Sequence, residues 1–166
     1  DCTALKSIDL PNLSTTASYQ GTYTFSNCTA LTSVTFPAKV TNVNTGLFQG
    51  CTALKTFDFS AITTIKDHAF EGSGLTGELL LPKVTTLNAR AFAGCAGIEK
   101  ITLPVYSGAQ ESSGYNASYT EIFEGCTALR EVSLPKSQSV GSSMFANCQN
   151  LTVVSAPNAK YVYNYA

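Results

Sequence analysis

One spacing constrains this chain more than any other feature. A phenylalanine, a cysteine three residues on, a leucine three further and an alternating apolar pair closed by proline return along its whole length. Aligned on the cysteines, Phe25, Cys28, Leu31, Val34, Phe36 and Pro37 are matched by Phe48, Cys51, Leu54, Phe57, Phe59 and Ser60. The frame comes back at Phe92 with Cys95, Phe123 with Cys126 and Phe145 with Cys148. Cys2, Leu5, Ile8, Leu10 and Pro11 are the same unit without its phenylalanine, and Phe70 opens a copy in which Ser73 fills the cysteine slot. Successive slots lie 26, 23, 22, 22, 31 and 22 residues apart. Self-similarity at this period restricts the chain to a stack of units, each burying its apolar face against its neighbours.

Within each copy the segment after the leucine alternates strictly, as in Val34, Thr35 and Phe36, and predicts a short strand with its apolar side inward. One such strand per repeat predicts a parallel sheet. Proline follows it in six of seven repeats, where a fixed φ and a missing N–H end the ladder. A second apolar pair follows, Val40 with Val43, Ile62 with Ile65 and Val84 with Leu87, and predicts a second short extended segment. The stretch into the next phenylalanine, such as Asp67 to Phe70, is expected to be a single helical turn closed by Gly or Asn, which tolerate positive φ. The expectation is one domain over 1–166, with seven repeats truncated at both ends and insertions at about 17–24 and 105–121.

The recurring motif Phe-x-Gly/Asn-Cys-x-x-Leu-x-x-Val/Ile-x-Leu-Pro, with Val-x-x-Ile between copies, resembles the BspA-like bacterial leucine-rich repeats over essentially the whole chain. The resemblance implies a leucine-rich-repeat solenoid, right-handed, exported to the bacterial cell surface and used in adhesion or protein binding. It carries over no catalytic residue. The fourth repeat's missing cysteine and the two long segments depart from the pattern and limit how regular the stack can be.

Charge and hydropathy narrow the function classes. Ten basic and eleven acidic residues are scattered singly for a net charge of -1, so there is no basic stripe for nucleic acid and no acidic tail. The longest apolar runs, such as Leu79 to Leu81, are far too short to cross a bilayer. No signal-peptide pattern opens the chain, so an export signal is expected upstream. The first turn leaves Leu5, Ile8 and Leu10 without a recognisable cap, and a preceding segment or self-association through an uncapped end is expected to cover them.

Candidate chemistry is sparse. Six cysteines at one equivalent position per turn point the same way at steps of about 4.8 Å, a poor geometry for disulfides, and are expected to be buried free thiols. No Cys-x-x-Cys pair offers a zinc site. His68, the single histidine, sits beside Asp67 but is read as a surface residue, because no nucleophile accompanies it. Asp9 and Asp58 occupy the same outward strand position two repeats apart, roughly 10 Å, and are read as solvated. The row Thr41, Thr63 and Thr85 reflects β propensity on an exposed segment. No cofactor, no metal and no enzymatic activity are expected.

Function in a solenoid tends to sit where the repeat is violated. The distance from the strand-ending position to the next phenylalanine is 14 residues after Pro11 and 19 after Pro104, against ten or eleven elsewhere. All eight tyrosines lie in these two loops or in the tail at Tyr161, Tyr163 and Tyr165. Tyr with Ser, Gly and Asn suits adaptable recognition, so Tyr19, Tyr23, Tyr106, Tyr115 and Tyr119 are the expected ligand-contacting residues, while the tail tyrosines are expected to cap the last turn. The leading reading is an extracellular adhesion scaffold for a protein or glycan, host-derived included. Its rival is a structural spacer that projects another domain from the cell surface.

Overall fold

A computed structural model of the chain describes residues 1–13, 22–108 and 121–163. The repeat becomes a parallel-β solenoid of about six turns, with up to two extended segments described in each rung. In chain order, the main face is built from β1 (Ser7–Asp9), β2 (Ser33–Thr35), β5 (Thr76–Leu80), β7 (Gly97–Thr102), β8 (Glu131–Ser133) and β10 (Val153–Ser155). The second face carries β3 (Asn42–Val43), β4 (Thr64–Ile65), β6 (Thr86–Leu87), β9 (Ser139–Val140) and β11 (Tyr161–Val162). Every pairing is parallel and joins neighbouring rungs, so equivalent repeat positions stand in rows, as Glu78, Lys100 and Glu131 do.

The corner between the faces is not the helical turn that its sequence suggests. Leu47 N–H donates to Asn44 O, Gln49 to Gly46 and Cys51 to Phe48, making three successive β-turns. The alternate amides of Gly46, Phe48 and Gly50 donate instead to Asp67, Ala69 and Glu71 of the next rung. The first and third turns place Gly46 (φ 60) and Gly50 (φ 68) at their third residue, the left-handed position of a type II turn. Two left-handed residues four apart interrupt the run of negative φ that a helix requires. The same pair recurs at Tyr23 and Asn27, His68 and Gly72, Arg90 and Gly94, Glu121 and Gly125, and Ser143 and Asn147. Gly or Asn always fills the second slot, where such a residue costs least.

Inward-facing columns fill the interior. Phe25, Phe48, Phe70, Phe92, Phe123 and Phe145 form one continuous ring stack with centroids 5.4–6.0 Å apart. Beside it the cysteine thiols donate to the carbonyl of the phenylalanine one rung back: Cys51 to Phe25 and Cys95 to Phe70 at 3.0 Å, Cys126 to Phe92 at 3.3 Å and Cys148 to Phe123 at 3.0 Å. The column is therefore a hydrogen-bonded ladder as well as an apolar one.

Among the described residues the main sheet has one interruption. Among the described residues no backbone hydrogen bond joins 52–60 to 29–37, and none joins 57–60 to 77–82. Rung three thus has no regular main-face strand. Its two inward positions hold Phe57 and Phe59, where other rungs carry pairs such as Ile101 and Leu103 or Val132 and Leu134. Phe57 packs on Phe36 at 6.3 Å and Phe70 at 5.1 Å, and Phe59 on Phe92 at 6.0 Å. This ring bulk holds the backbone away from ladder spacing on both sides. On the far side of β5 its pairing with β7 shifts register between Gly77 and Glu78, where Glu99 is the extra residue. On the second face the described strands stop at β6 and resume at β9, and between them the Gln138 N–H donates to Ser107 O at 2.9 Å.

Candidate functional site

The outward side chains of the main face form two rows. One runs Ser7, Ser33, Thr56, Glu78, Lys100, Glu131, and the other Asp9, Thr35, Asp58, Leu80, Thr102, Ser133. Alternation along each strand sends these side chains to solvent while their neighbours enter the core. Most are small and polar, and Leu80, 59% exposed, is the exception. Lys100 Nζ binds Glu131 Oε1 at 2.9 Å, which raises the lysine's pKa. Asp58 accepts the backbone N–H of Ser60 at 2.9 Å, and that bond holds its carboxyl below the usual range. Asp58 and Asp9 share no desolvated setting, as their positions predicted.

The expected tyrosine site divides. Tyr19, Tyr115 and Tyr119 lie outside the described residues. Tyr23 is 45% exposed and occupies the first left-handed corner slot, φ 56. Its ring lies over Gly46, where a Cβ would come within 2.2 Å of Tyr23 Cδ1, so the glycine supplies the floor on which the ring rests. Tyr106 departs from expectation: it is 2% exposed and belongs to the core. It stands two residues after Pro104, as Ile62 follows Ser60 and Val84 follows Pro82, and so continues that inward column. Ser137, fully buried in the next rung, leaves room for the larger ring. The stem of the insertion is fixed as well, since a Cβ on Gly108 would meet Ser137 Oγ at 2.6 Å and Ser139 Oγ at 2.7 Å. In the tail, Tyr161 and Tyr163 stack at 6.3 Å.

A polar cluster lies at the corner, outside the site residues the sequence singles out. Arg90 binds Glu71 through Nη2 at 2.7 Å, binds Glu121 at 2.5 Å and also holds Glu124. Glu71 further accepts from Gln49 at 2.7 Å and pairs with His68 Nδ1 at 2.7 Å. Asp67 is bonded to Asn88 at 3.2 Å, so His68 is oriented by Glu71. Burial pushes the Glu71 carboxyl up, but hydrogen bonds from Arg90, His68 and Gln49 outweigh it and leave the group below its usual range. Glu71 in turn, with the other two glutamates, raises the Arg90 pKa against a smaller effect of burial. The cluster spans four successive corners, from Gln49 to Glu124, beside the insertion and pins them together. Its one available signal was that His68, Arg90 and Glu121 share a repeat position.

Elsewhere the groups are absorbed by the scaffold. Thr63 and Thr85 hydroxyls donate to the carbonyls of Thr41 and Thr63, one rung back. All six cysteines are free thiols, and burial pushes Cys51 and Cys95 up to about 11. Among the described residues no group of three potential metal ligands occurs. No helix among them is long and apolar enough to cross a membrane.

Fold and surface together define a leucine-rich-repeat solenoid whose variable residues lie on an exposed strand face. The chain belongs to the BspA type leucine rich repeat family, whose model matches six copies over residues 1–116 and 60–166. Among solved structures it is similar to the T. pallidum leucine rich repeat protein, at 21% identity and TM-score 0.55 over 85% of this chain and 64% of that one. It also aligns with a leucine-rich repeat protein from Bacteroides ovatus, at 18% identity and TM-score 0.48 over 99% of this chain and 64% of that one. A leucine rich cell surface protein from Faecalibacterium prausnitzii aligns at 17% identity and TM-score 0.42, over 96% of this chain and 62% of that one. The chain therefore spans less than two thirds of the length of these structures. No curated protein matches it.

Proposed function

We propose that the protein is an extracellular binding scaffold on the bacterial surface, recognising a protein or glycan through its outward strand rows and tyrosine-bearing loops. One observation carries this reading: the inward columns repeat Phe, Cys, Leu and Val/Ile almost unchanged, while the outward rows differ from rung to rung. A rigid grid with a variable surface is what recognition by a solenoid uses. Family membership supports the placement outside the cell. The absorption of thiols, hydroxyls and the His68 ring into internal bonds supports a non-enzymatic role.

The test is a binding screen of the chain against purified extracellular matrix proteins and immobilised glycans. It is repeated with Leu80→Ser and Lys100→Ser together, and separately with Tyr19, Tyr23, Tyr115 and Tyr119 all changed to Ala. A partner that weakens about tenfold or more with either set is expected, since hot spots centre on a few such side chains. If nothing binds, the spacer reading replaces this one. A partner indifferent to both sets overturns the site.

A further inference from the structure

The interruption of the main sheet at rung three is more than a packing irregularity. After Thr76 N–H donates to Lys55 O at 3.2 Å, rungs three and four part company. Between them opens a cleft of about 310 Å³ whose walls include Phe57, Asp58, Glu78, Leu80 and Pro82. The N–H groups of Phe57, Asp58 and Phe59 and the carbonyls of Phe57 and Asp58 have no backbone partner in the described chain. From β5 to β10 the equivalent groups are taken up by neighbouring rungs, whereas β2, on the other side of rung three, likewise lacks such bonds to it. Unpaired strand edges are the surface on which an added extended chain makes main-chain hydrogen bonds.

Charge and hydropathy specify what that chain should carry. Asp58 and Glu78 stand on opposite walls, both exposed. Of the nearby cations, Lys55 is bonded to the Thr52 carbonyl, and Lys100 is bonded to Glu131 while it attracts Glu78 from the adjacent rung without a direct bond. The Ser60 amide keeps Asp58 ionised and fixed in direction. Leu80 projects beside them with 59% of its surface exposed, in a row whose other members on rungs one to six are Asp, Thr and Ser. Two carboxylates beside an exposed leucine and free backbone groups complement an extended segment that bears basic residues and one apolar residue. They repel phosphates and acidic glycans.

We propose that this cleft is the docking site for an extended basic segment of a partner polypeptide, held by main-chain hydrogen bonds to rung three, by Asp58 and Glu78, and by contact with Leu80. This rests on the strand-face reading above and names its site and ligand chemistry.

The probe is a fluorescein-labelled heptapeptide of alternating Lys and Thr with a central Leu, titrated into the whole chain at 0.15 M salt by fluorescence anisotropy. Saturable binding is expected, weakened about tenfold by Asp58→Asn with Glu78→Gln, as two partly exposed ion pairs imply. Leu80→Ser should weaken it severalfold. A peptide with Glu for every Lys should not bind, and one N-methylated at alternate amides should lose most of the affinity. All three substituted positions are exposed, and circular dichroism checks that the variants fold. Equal binding by the doubly neutralised variant, equal binding of the N-methylated peptide, or no binding of the parent peptide would each overturn the proposal. A screen partner that survives Asp58→Asn with Glu78→Gln but not Lys100→Ser would keep the strand-face reading and reject this cleft. A screen without any partner rejects the broader reading, while the peptide titration still decides this one.

Discussion

Single residues in this molecule are used mainly as links between rungs. A cysteine does three things at once: it fills a column, donates to the phenylalanine carbonyl one rung back, and stays protonated because burial disfavours the thiolate. Alkylation by iodoacetamide at pH 8, followed by mass spectrometry, should therefore modify exposed Cys2 first, Cys148 slowly and the four fully buried cysteines only after denaturation. Equal labelling of all six in the native protein would disprove the ladder. Glu71 works by charge. Its folded pKa lies below the ordinary 4.5, so its contribution is complete above that pH and declines as pH falls through the lowered value. Glu71→Gln should cost about 1 kcal/mol at neutral pH, the scale of a part-buried charged hydrogen-bond network. Urea midpoints between pH 7 and 3 should also fall less steeply with acid than those of the parent chain.

At the scale of elements, the corner and the break in the main sheet show where local preference ends and packing takes over. Gly or Asn at the second corner slot announces a left-handed residue, and positive φ occurs there in every described corner. Tyr23, His68, Arg90, Glu121 and Ser143 at the first slot carry no such preference, so a helical turn and a chain of β-turns look alike until the inter-rung bonds are seen. The strand missing from rung three has a side-chain cause, which makes it testable. Replacing Phe57 with Val and Phe59 with Leu, the residues of ordinary rungs, should let the ladder close. Amide exchange over residues 55–60 should then slow by an order of magnitude or more, as newly paired amides do. Unchanged exchange would place the cause outside these two rings. Tyr106 offers a second check: Tyr106→Ala should cost about 3–5 kcal/mol as a truncated core aromatic, whereas Tyr23→Ala, an exposed ring, should stay within about 1 kcal/mol. Equilibrium unfolding in urea separates the two.

Across the whole molecule, stability should follow the stack. A solenoid is held by nearest-neighbour interfaces, and here the interface chain has its thinnest main-face link at rung three and its densest run from β5 through β7 and β8 to β10. Native-state hydrogen exchange should show amides of residues 29–60 opening at lower free energy than those of 78–103. A uniform profile would mean that the Phe stack, which runs unbroken from Phe25 to Phe145, equalises the rungs. The Arg90 cluster fixes the corner on both sides of the insertion, so binding loops at that place would spring from a rigid base.

By itself the sequence determined the architecture. A period near 22 with fixed apolar, turn and proline positions has one economical solution, because each unit can bury its inward side only against a copy of itself. The parallel sheet, the buried thiol column and the exposed strand rows were all legible in Phe25 to Pro37 and its repeats. Tertiary structure alone decided which irregularities matter. Tyr106 looked like a loop tyrosine and is a core ring, because an inward column must stay filled where the insertion leaves it. Phe57 and Phe59 looked like conservative changes within the repeat, yet two rings where aliphatic residues belong open the sheet. Both outcomes depend on volume shared among neighbouring rungs, a quantity that one repeat's residue pattern does not contain.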